Sequence, residues 1–307
     1  MSKYYFNRDY SLTIGRPASV LSTGFEEAVF ESGKAKTITG LRITFDIKKT
    51  ETPESNSCTI TINNLSDSTR KFIKARTKKE SGMIATLKAG YEELHGKNLP
   101  TIFTGDISNV YHDLTPPEVV TTIECNEGKI SIEQSYFSKS YRSGVRVRKI
   151  IDDILSNLGL SLHGSVNDSI LPDYTLFNGF SFSGWACDAL TRLCNGYGLL
   201  WSIQNNSIKI YPAIGENGQP GTDNSLSKLM LVGSPKRINN SKSKVDEFIG
   251  YELISLLAPE VCPGGKVNIT SRECGNVTLG VSEVYHRGDN WGTGAGSWNS
   301  TIRARDL

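Results

Sequence analysis

Two heptads of this 307-residue chain carry the same pattern far apart in the sequence. Residues 107–113 (ISNVYHD) and 281–287 (VSEVYHR) have serine, valine, tyrosine and histidine at the same positions. Each heptad is followed, after a loop, by a second strand-like segment, residues 121–125 or 300–304. We therefore predict a β-hairpin that the chain uses twice. The repeated positions that we predict to be structurally important are Ile107, Ser108, Val110, Tyr111, His112, Val281, Ser282, Val284, Tyr285 and His286.

An internal duplication of this kind constrains assembly. A duplicated small β-domain gives a cyclic trimer six similar surfaces, so that a threefold object can dock onto a sixfold one. His112 and His286 lie at equivalent positions beside a tyrosine, which favours a structural or interface role over catalysis. The alternative is a chance match between two amphipathic strands that both draw on β-favouring residues.

Composition narrows the class of protein. The chain has 34 basic and 32 acidic side chains, so no global field would attract nucleic acid or an anionic membrane. The first eight residues lack a signal-peptide pattern, and no apolar run approaches the ~20 residues that span a bilayer. We expect a chain made and folded in the cytosol, without a membrane-spanning segment. The six cysteines form no CxxC pair, which predicts mostly buried, reduced thiols.

The first part of the chain reads as one antiparallel β-unit, residues 1–130. Residues 41–48 and 58–63 alternate apolar and polar side chains, as half-buried strands do. Ser66 is a suitable cap for a short helix over residues 67–76. Further strands are predicted over residues 82–91, 102–112 and 119–125.

The pattern changes from period 2 to period 3.6 in the middle unit, residues 131–211. Apolar side chains follow helical spacing over residues 147–158, and Gly159 ends the run. A second helix is predicted to begin at Ser183, which would cap it, and to bury Trp185. Residues 199–211 read as a hairpin that turns at Asn205 and Asn206, because asparagine tolerates positive φ.

The final unit, residues 212–307, begins with a glycine-rich linker that has too little apolar surface to fold alone. The strands predicted after it include the second copy of the hairpin, and they cover residues 249–257, 266–270, 278–286 and 299–304. The predicted order is therefore a β-unit, an α/β insert and a second β-unit.

No constellation of residues predicts chemistry. The four histidines, one of them His163, lack the spacing of a zinc helix, so we predict no metal site. Asp152 and Asp153 are adjacent on a helix, point ~100° apart and read as a solvated face. The glycine-rich residues 292–296 lie between two strands and read as a hairpin tip rather than a phosphate loop. We predict no catalytic residue and no cofactor.

Several stretches, taken in order, resemble a known family. They are residues 41–50 with 59–66, residues 198–210, residues 231–235, residues 255–260 before Pro263 and Gly264, and residues 284–289 with Trp298 before the last strand. The chain resembles the baseplate hub proteins of long-tailed bacteriophages, which are related to late control protein D and to the hub part of type VI secretion spikes. The resemblance covers nearly the whole chain, although each piece is only a packing or turn pattern.

This resemblance implies a mainly β fold in which two tube-type antiparallel β-barrel domains frame a small helix-plus-hairpin domain. It implies a structural protein rather than an enzyme: a homotrimer that forms a pseudo-sixfold collar between the hexameric tail tube and the trimeric central spike. The implied partners are the tail tube protein, the spike protein and other baseplate proteins, with DNA or a tape-measure protein passing through the lumen. The implied location is the virion, in a baseplate assembled in the host cytoplasm. Type VI spike hubs continue into a long β-helix, whereas this sequence stops at Leu307, so a separate spike protein is expected.

A second hypothesis is a carbohydrate-binding or cell-wall-degrading tail component. The four tryptophans would then offer platforms on which sugars stack. Trp185 and Trp201 lie in apolar runs and are predicted to be core residues, which leaves Trp291 and Trp298 as exposed candidates.

Overall fold

The computed structural model describes residues 7–17, 30–74, 82–162, 174–212, 226–241, 247–292 and 297–307. The fold is mainly β, with a few short helices, as predicted. The strands are β1 (Arg8–Pro17), β2 (Phe30–Ile38), β3 (Ile43–Thr50), β4 (Ser57–Asn63), β5 (Ile84–Tyr91), β6 (Thr101–Asp113), β7 (Val120–Asn126), β8 (Tyr136–Tyr141), β9 (Val145–Arg146), β10 (Ser161–Leu162), β11 (Thr175–Leu176), β12 (Phe180–Trp185), β13 (Leu199–Gln204), β14 (Ser207–Pro212), β15 (Leu226–Lys228), β16 (Lys236–Ser241), β17 (Glu247–Leu256), β18 (Lys266–Ser271), β19 (Gly275–Asp289) and β20 (Trp298–Asp306). The helices are α1 (Asp67–Lys74), α2 (Glu92–His95), α3 (Lys129–Gln134), α4 (Val147–Leu158) and α5 (Ala186–Asn195).

One 13-stranded sheet contains the strands of both ends of the chain. Its path runs β16-β17-β20-β19-β3-β4-β7-β6-β5-β1-β2, and β18 joins it beside β19, with β15 beside β18. The path is open among the described residues. The two-barrel arrangement that the family resemblance implies therefore remains a prediction.

Strand alternation explains why these segments form a sheet. In β3 the side chains of Ile43, Phe45 and Ile47 are buried, while those of Asp46 and Lys48, which follow Phe45 and Ile47, are exposed, as the period-2 pattern predicts. Three hydrophobic cores result. The first lies under β1 to β7, the second lies in the middle unit, and the third lies under β15 to β20.

The middle unit follows helical periodicity closely. Gly159 ends α4 in a left-handed conformation, which glycine adopts without strain. The apolar residues at helical spacing on α4 are all buried, as predicted: Val147, Ile150, Ile151, Ile154, Leu155 and Leu158. The hairpin of β13 and β14 turns at Asn205 and Asn206, which have φ of 50° and 61°, so this turn prediction is also confirmed.

The second helix prediction was partly wrong. Ser183 lies in β12 rather than at a helix N-terminus, and α5 begins after Trp185. The reason is long-range pairing: β12 pairs with β8 over its whole length, which holds residues 180–185 extended up to the first helical residue.

Two strands at the start of the chain were missed. β1 and β2 pair with each other, and β1 also pairs with β5. The alternation of Tyr10, Leu12 and Ile14 with polar residues indicates β1 and was overlooked, whereas the sequence of β2 shows no clear alternation. The polar linker predicted from residue 212 falls largely outside the described residues, as do His163 and most of the glycine-rich tip at 292–296. None of the described helices is long and apolar enough to cross a bilayer.

Candidate assembly site: the repeated hairpin and its edges

The two heptads lie in β6 and β19, and both strands bulge at the same heptad position. In β6 the register against β7 shifts between Ile107 and Asn109, and in β19 the register against β20 shifts between Val281 and Glu283. A bulge leaves one residue unpaired and re-aims its side chain. Here the extra residue is the repeated serine of each copy.

Both serines use their hydroxyls in the same way. The Ser108 Oγ donates to the Glu124 carbonyl oxygen at 3.0 Å, and the Ser282 Oγ donates to the Arg303 carbonyl oxygen at 3.0 Å. Each hydrogen bond crosses to the partner strand of the same hairpin. The chain thus contains one bulged hairpin in two copies.

The two histidines also have matching partners. His112 Nδ1 lies 3.0 Å from Thr121 Oγ1, and His286 Nδ1 lies 2.8 Å from Ser300 Oγ. His286 is fully buried, and burial together with the nearby Lys49 ammonium lowers the pKa of His286 to about 3. The His286 imidazole is therefore neutral at physiological pH, and its Nδ1 is held by the Ser300 hydroxyl.

The remaining repeat positions differ in exposure between the two copies. Val281 and Val284 are buried, whereas Ile107 and Val110 are only partly buried. Tyr111 is 48% exposed, while Tyr285 is half-buried.

The strand order around the hairpin recurs as well. In the first unit the neighbours run β3-β4-β7-β6-β5, and in the last unit they run β16-β17-β20-β19-β18. All of these neighbours pair antiparallel. The two units therefore share five strands in one spatial order and one chain order.

The two units join edge to edge inside the chain. The second half of β19 pairs antiparallel with β3, from Glu283 opposite Thr50 to Asp289 opposite Thr44. Packing beneath this junction is tight, because a Cβ on Gly288 would collide with the Phe45 ring. The sheet is therefore continuous across the junction, because β19 of the last unit pairs directly with β3 of the first unit.

A buried ion pair lies where the first unit meets the middle unit. Lys49 Nζ is 3.7 Å from Glu127 Oε1, and both side chains are fully buried. Lys49 also donates to Asn205 Oδ1 at 2.7 Å, and Asn56 Nδ2 donates to Glu127 Oε2 at 2.8 Å. Burial raises the pKa of Glu127, and the ammonium of Lys49 opposes that shift. Sequence reasoning missed this pair, although Lys49 continues the inward phase of Ile43, Phe45 and Ile47.

The described residues offer no constellation for catalysis. Asp153 accepts hydrogen bonds from Tyr141 at 2.7 Å and Lys149 at 3.2 Å, and Asp152 pairs with Arg148 on the helix surface. No group of three metal-ligating side chains occurs among the described residues. All six cysteines are free; Cys58, Cys125 and Cys194 are buried, and the other three are half-buried.

The tryptophans correct the sequence prediction in two places. Trp185 is 49% exposed, at the end of β12 beside Tyr136, and is not a core residue. Trp298 is completely buried and is not an exposed platform. Trp201 is core and Trp291 is 67% exposed, as predicted.

Several solved structures share this fold. A prophage MuSo2 43 kDa tail protein from Shewanella oneidensis aligns with a TM-score of 0.58 and 8% identity, covering 97% of this chain and 98% of that chain. A tail protein from Neisseria meningitidis gives 0.55 and 9%, covering 97% and 96%. The E. coli c3393 protein, a type VI secretion component structurally similar to T4 tail proteins gp27 and gp5, gives 0.56 and 10%, covering 87% and 73%. The fold is that of phage tail proteins.

The family follows from the sequence. The model of the family described as "Baseplate hub gp41" matches residues 26–182, slightly more than half of the chain. The chain belongs to this family and is a structural protein of the phage tail baseplate, a component of the virion. No curated protein sequence matches it.

Proposed function

We propose that this protein is a trimeric baseplate hub that forms a pseudo-sixfold collar between the hexameric tail tube and the trimeric central spike. Its partners are the tail tube protein, the central spike protein and other baseplate proteins. Its lumen lets DNA or a tape-measure protein pass during genome ejection. It acts without catalysis and assembles in the host cytoplasm.

The single observation that carries the proposal is the recurrence of one bulged hairpin in one strand order. Three chains contribute six similar hairpin units, and a closed ring of six units presents a sixfold surface on one side and threefold symmetry overall. In this proposal residues 1–130 and 212–307 are the two tube-type barrel units, and residues 131–211 are a separate middle unit. The ten repeat residues position the hairpins within the ring.

The arrangement of edges supports a closed ring. Strand edges left open invite uncontrolled pairing, and ring closure removes them. Inside the chain one such edge is already closed by the pairing of β3 with β19. A ring of three chains would contain three junctions of this kind and three more between chains.

Light scattering on the purified full chain tests the oligomer. We expect a mass three times that of the 33.7 kDa subunit, independent of dilution in the micromolar range. A stable monomer or dimer would contradict the proposal.

The same sample tests the cell-wall hypothesis. Trp291 and Trp185 are exposed aromatic rings of the kind that stack on sugars. Release of soluble fragments from purified peptidoglycan by a monomeric sample would favour the cell-wall hypothesis. A trimer that releases nothing favours the hub.

A further inference from the structure

The junction inside the chain provides a template for the junction between chains. On its outer face the Arg287 guanidinium lies 3.2 Å from the Asp46 carboxylate. Next to this ion pair, Lys48 Nζ lies 5.9 Å from the centre of the Tyr285 ring. Both contacts join residues that lie opposite each other in the register of β19 and β3.

Two other strands are the repeat equivalents of β19 and β3. The equivalent of the second half of β19 is the second half of β6, where residues 108–113 pair only with β7 among the described residues. The equivalent of β3 is β16, which pairs only with β17 among the described residues. Neither of the two has, within the described ranges, the second neighbour that its counterpart has.

Exposure agrees with a missing neighbour. Ser282 and Val284 are 2% and 0% exposed, whereas their equivalents Ser108 and Val110 are exposed and partly buried. The same residue types in the same hairpin differ in exposure because, within the part of the chain that the structure describes, only the second copy has a strand on its other side.

The position equivalent to Asp46 is found by following pairs across the sheet. In the first unit Asp46 lies opposite Thr59, and Thr59 lies opposite Glu124. Glu124 lies opposite Asn109, the first residue after the bulge.

The same steps in the last unit lead to Lys236. Lys236 lies opposite Glu252, and Glu252 lies opposite Arg303. Arg303 lies opposite Glu283, which is again the first residue after the bulge. Lys236 is therefore the counterpart of Asp46.

We propose that β16 of one copy pairs antiparallel with the second half of β6 of the next copy, with Lys236 opposite Asp113 and Ile238 opposite Tyr111. This pairing rests on the ring proposed above, and it identifies the strands and the register that close the ring. The Arg287–Asp46 pair would recur with the charges exchanged, because Asp113 is the counterpart of Arg287 and Lys236 is the counterpart of Asp46.

The residues at both edges fit this register. Lys236 and Asp113 are exposed, and Tyr111 is 48% exposed although it is a large aromatic residue. An aromatic ring opposite a β-branched side chain is a favourable cross-strand pair, and so are opposite charges. The neighbouring Arg237 is paired with Asp306 within its own chain, so its charge is already compensated.

The geometry of the template makes the proposal testable by a disulfide. The Glu51 amide donates to the Ser282 carbonyl oxygen and the Asn290 amide donates to the Ile43 carbonyl oxygen, which marks two hydrogen-bonded pairs of this ladder. Hydrogen-bonded and non-hydrogen-bonded pairs alternate, so Arg287 and Asp46 form a non-hydrogen-bonded pair, in which the side chains approach more closely. The equivalent pair between chains suits a disulfide bond.

The experiment introduces two cysteines, Asp113→Cys and Lys236→Cys, into the full chain. After mild oxidation we expect a covalent trimer on a non-reducing gel, which reverts to monomer with reductant. The matched control pairs Asp113→Cys with Asn239→Cys, which lies three residues along β16, ~10 Å away and on the other face. Each single variant measures any background from the six native cysteines.

The outcomes separate this pairing from the ring itself. A wild-type trimer whose Asp113→Cys/Lys236→Cys variant cross-links no better than the control overturns the register and leaves the ring standing. A wild-type monomer at all concentrations overturns the ring as well. Trimer cross-linking in the test pair alone supports both.

Charge exchange gives an independent test. Asp113→Lys or Lys236→Asp alone would place like charges opposite each other, and we expect weaker association by about fivefold for each junction. The double variant restores opposite charges and should restore association.

Lysine on an edge strand can also serve to prevent pairing. If Lys236→Ala strengthens association instead of weakening it, Lys236 has that blocking role and the proposed pairing is wrong.

Discussion

The rings of Phe45 and Trp298 meet edge to face, with centroids 5.1 Å apart, so that a residue of the first unit packs on a residue of the last. The Tyr91 hydroxyl reinforces this contact by donating to the Trp298 carbonyl oxygen at 3.2 Å. Both aromatic rings belong to the first core, which therefore extends across the junction between the two units. The last unit thus contributes side chains to the first hydrophobic core.

Trp298→Ala should destabilise the fold strongly. The buried indole leaves a large cavity when it is removed, and we expect the free energy of unfolding to fall by about 3–5 kcal/mol. Trp291→Ala is the matched control, because that ring is 67% exposed and its loss should change stability by less than about 0.5 kcal/mol. Urea unfolding followed by circular dichroism measures both. Equal effects of the two substitutions would contradict the packing at the junction.

Removing one partner of the buried ion pair should be costly. Glu127→Ala leaves the Lys49 ammonium buried without its carboxylate, and we expect a loss of about 3–5 kcal/mol in the free energy of unfolding. Asp46→Ala serves as the control, since the Arg287–Asp46 pair is exposed and should contribute little to folding. A tolerated Glu127→Ala would mean that Lys49 reaches solvent.

We expect the free energy of unfolding to depend on pH because of His286. Its folded pKa of about 3 lies below the ordinary value of 6.5, so the unfolded chain binds the proton first as the pH falls. The stability that neutral His286 contributes is complete above pH 6.5 and is lost as the pH falls toward 3, by roughly 1 kcal/mol per pH unit. His286→Gln removes this dependence, so the gap in unfolding free energy between wild type and variant should narrow between pH 7 and pH 4. A constant gap would show that His286 is accessible to protons in the folded state.

The two repeat valines should respond differently to a charge. Val284→Asp places a carboxylate in the apolar third core, opposite Lys49, whose ammonium is already paired with Glu127, and we expect a loss of more than about 2 kcal/mol and a strongly destabilised fold. Val110→Asp alters the equivalent position in β6, where the side chain is only partly buried and β7 is the one paired strand among the residues that the structure describes. We expect that variant to keep its circular dichroism spectrum and to lose assembly. A folded, fully assembled Val110→Asp would argue against pairing at this edge.

Local patterns were enough to predict much of the fold. The alternation of residues 43–48 fixed which face of β3 is buried, helical spacing fixed α4, and paired asparagines fixed the turn between β13 and β14. These features depend on neighbours within a few residues, so the sequence carries them directly.

Features that depend on distant pairing were harder to predict. β2 has a serine, a glycine and lysines near its centre, and only its pairing with β1 makes it a strand. Trp185 lies in an apolar run and is exposed, whereas Trp298 lies among glycine, serine and asparagine and is buried. Whether a tryptophan side chain in a sheet is buried or exposed depends on the register of its strand, which cannot be predicted from local composition.

The candidate site shows the same division. The heptad identity predicted the twin hairpins, but the free edges could not be predicted, because they depend on which strands find a second partner. Asp113 and Lys236 can be identified as counterparts of Arg287 and Asp46 only from the observed pairing of β3 with β19.

Electron microscopy of the purified full chain tests the central claim most directly. We predict an annulus with three chains and six lobes of similar size around a central opening, since each chain contributes two equivalent strand units. Particles without a central opening would contradict the account. So would rings that do not show six lobes of similar size, two from each chain.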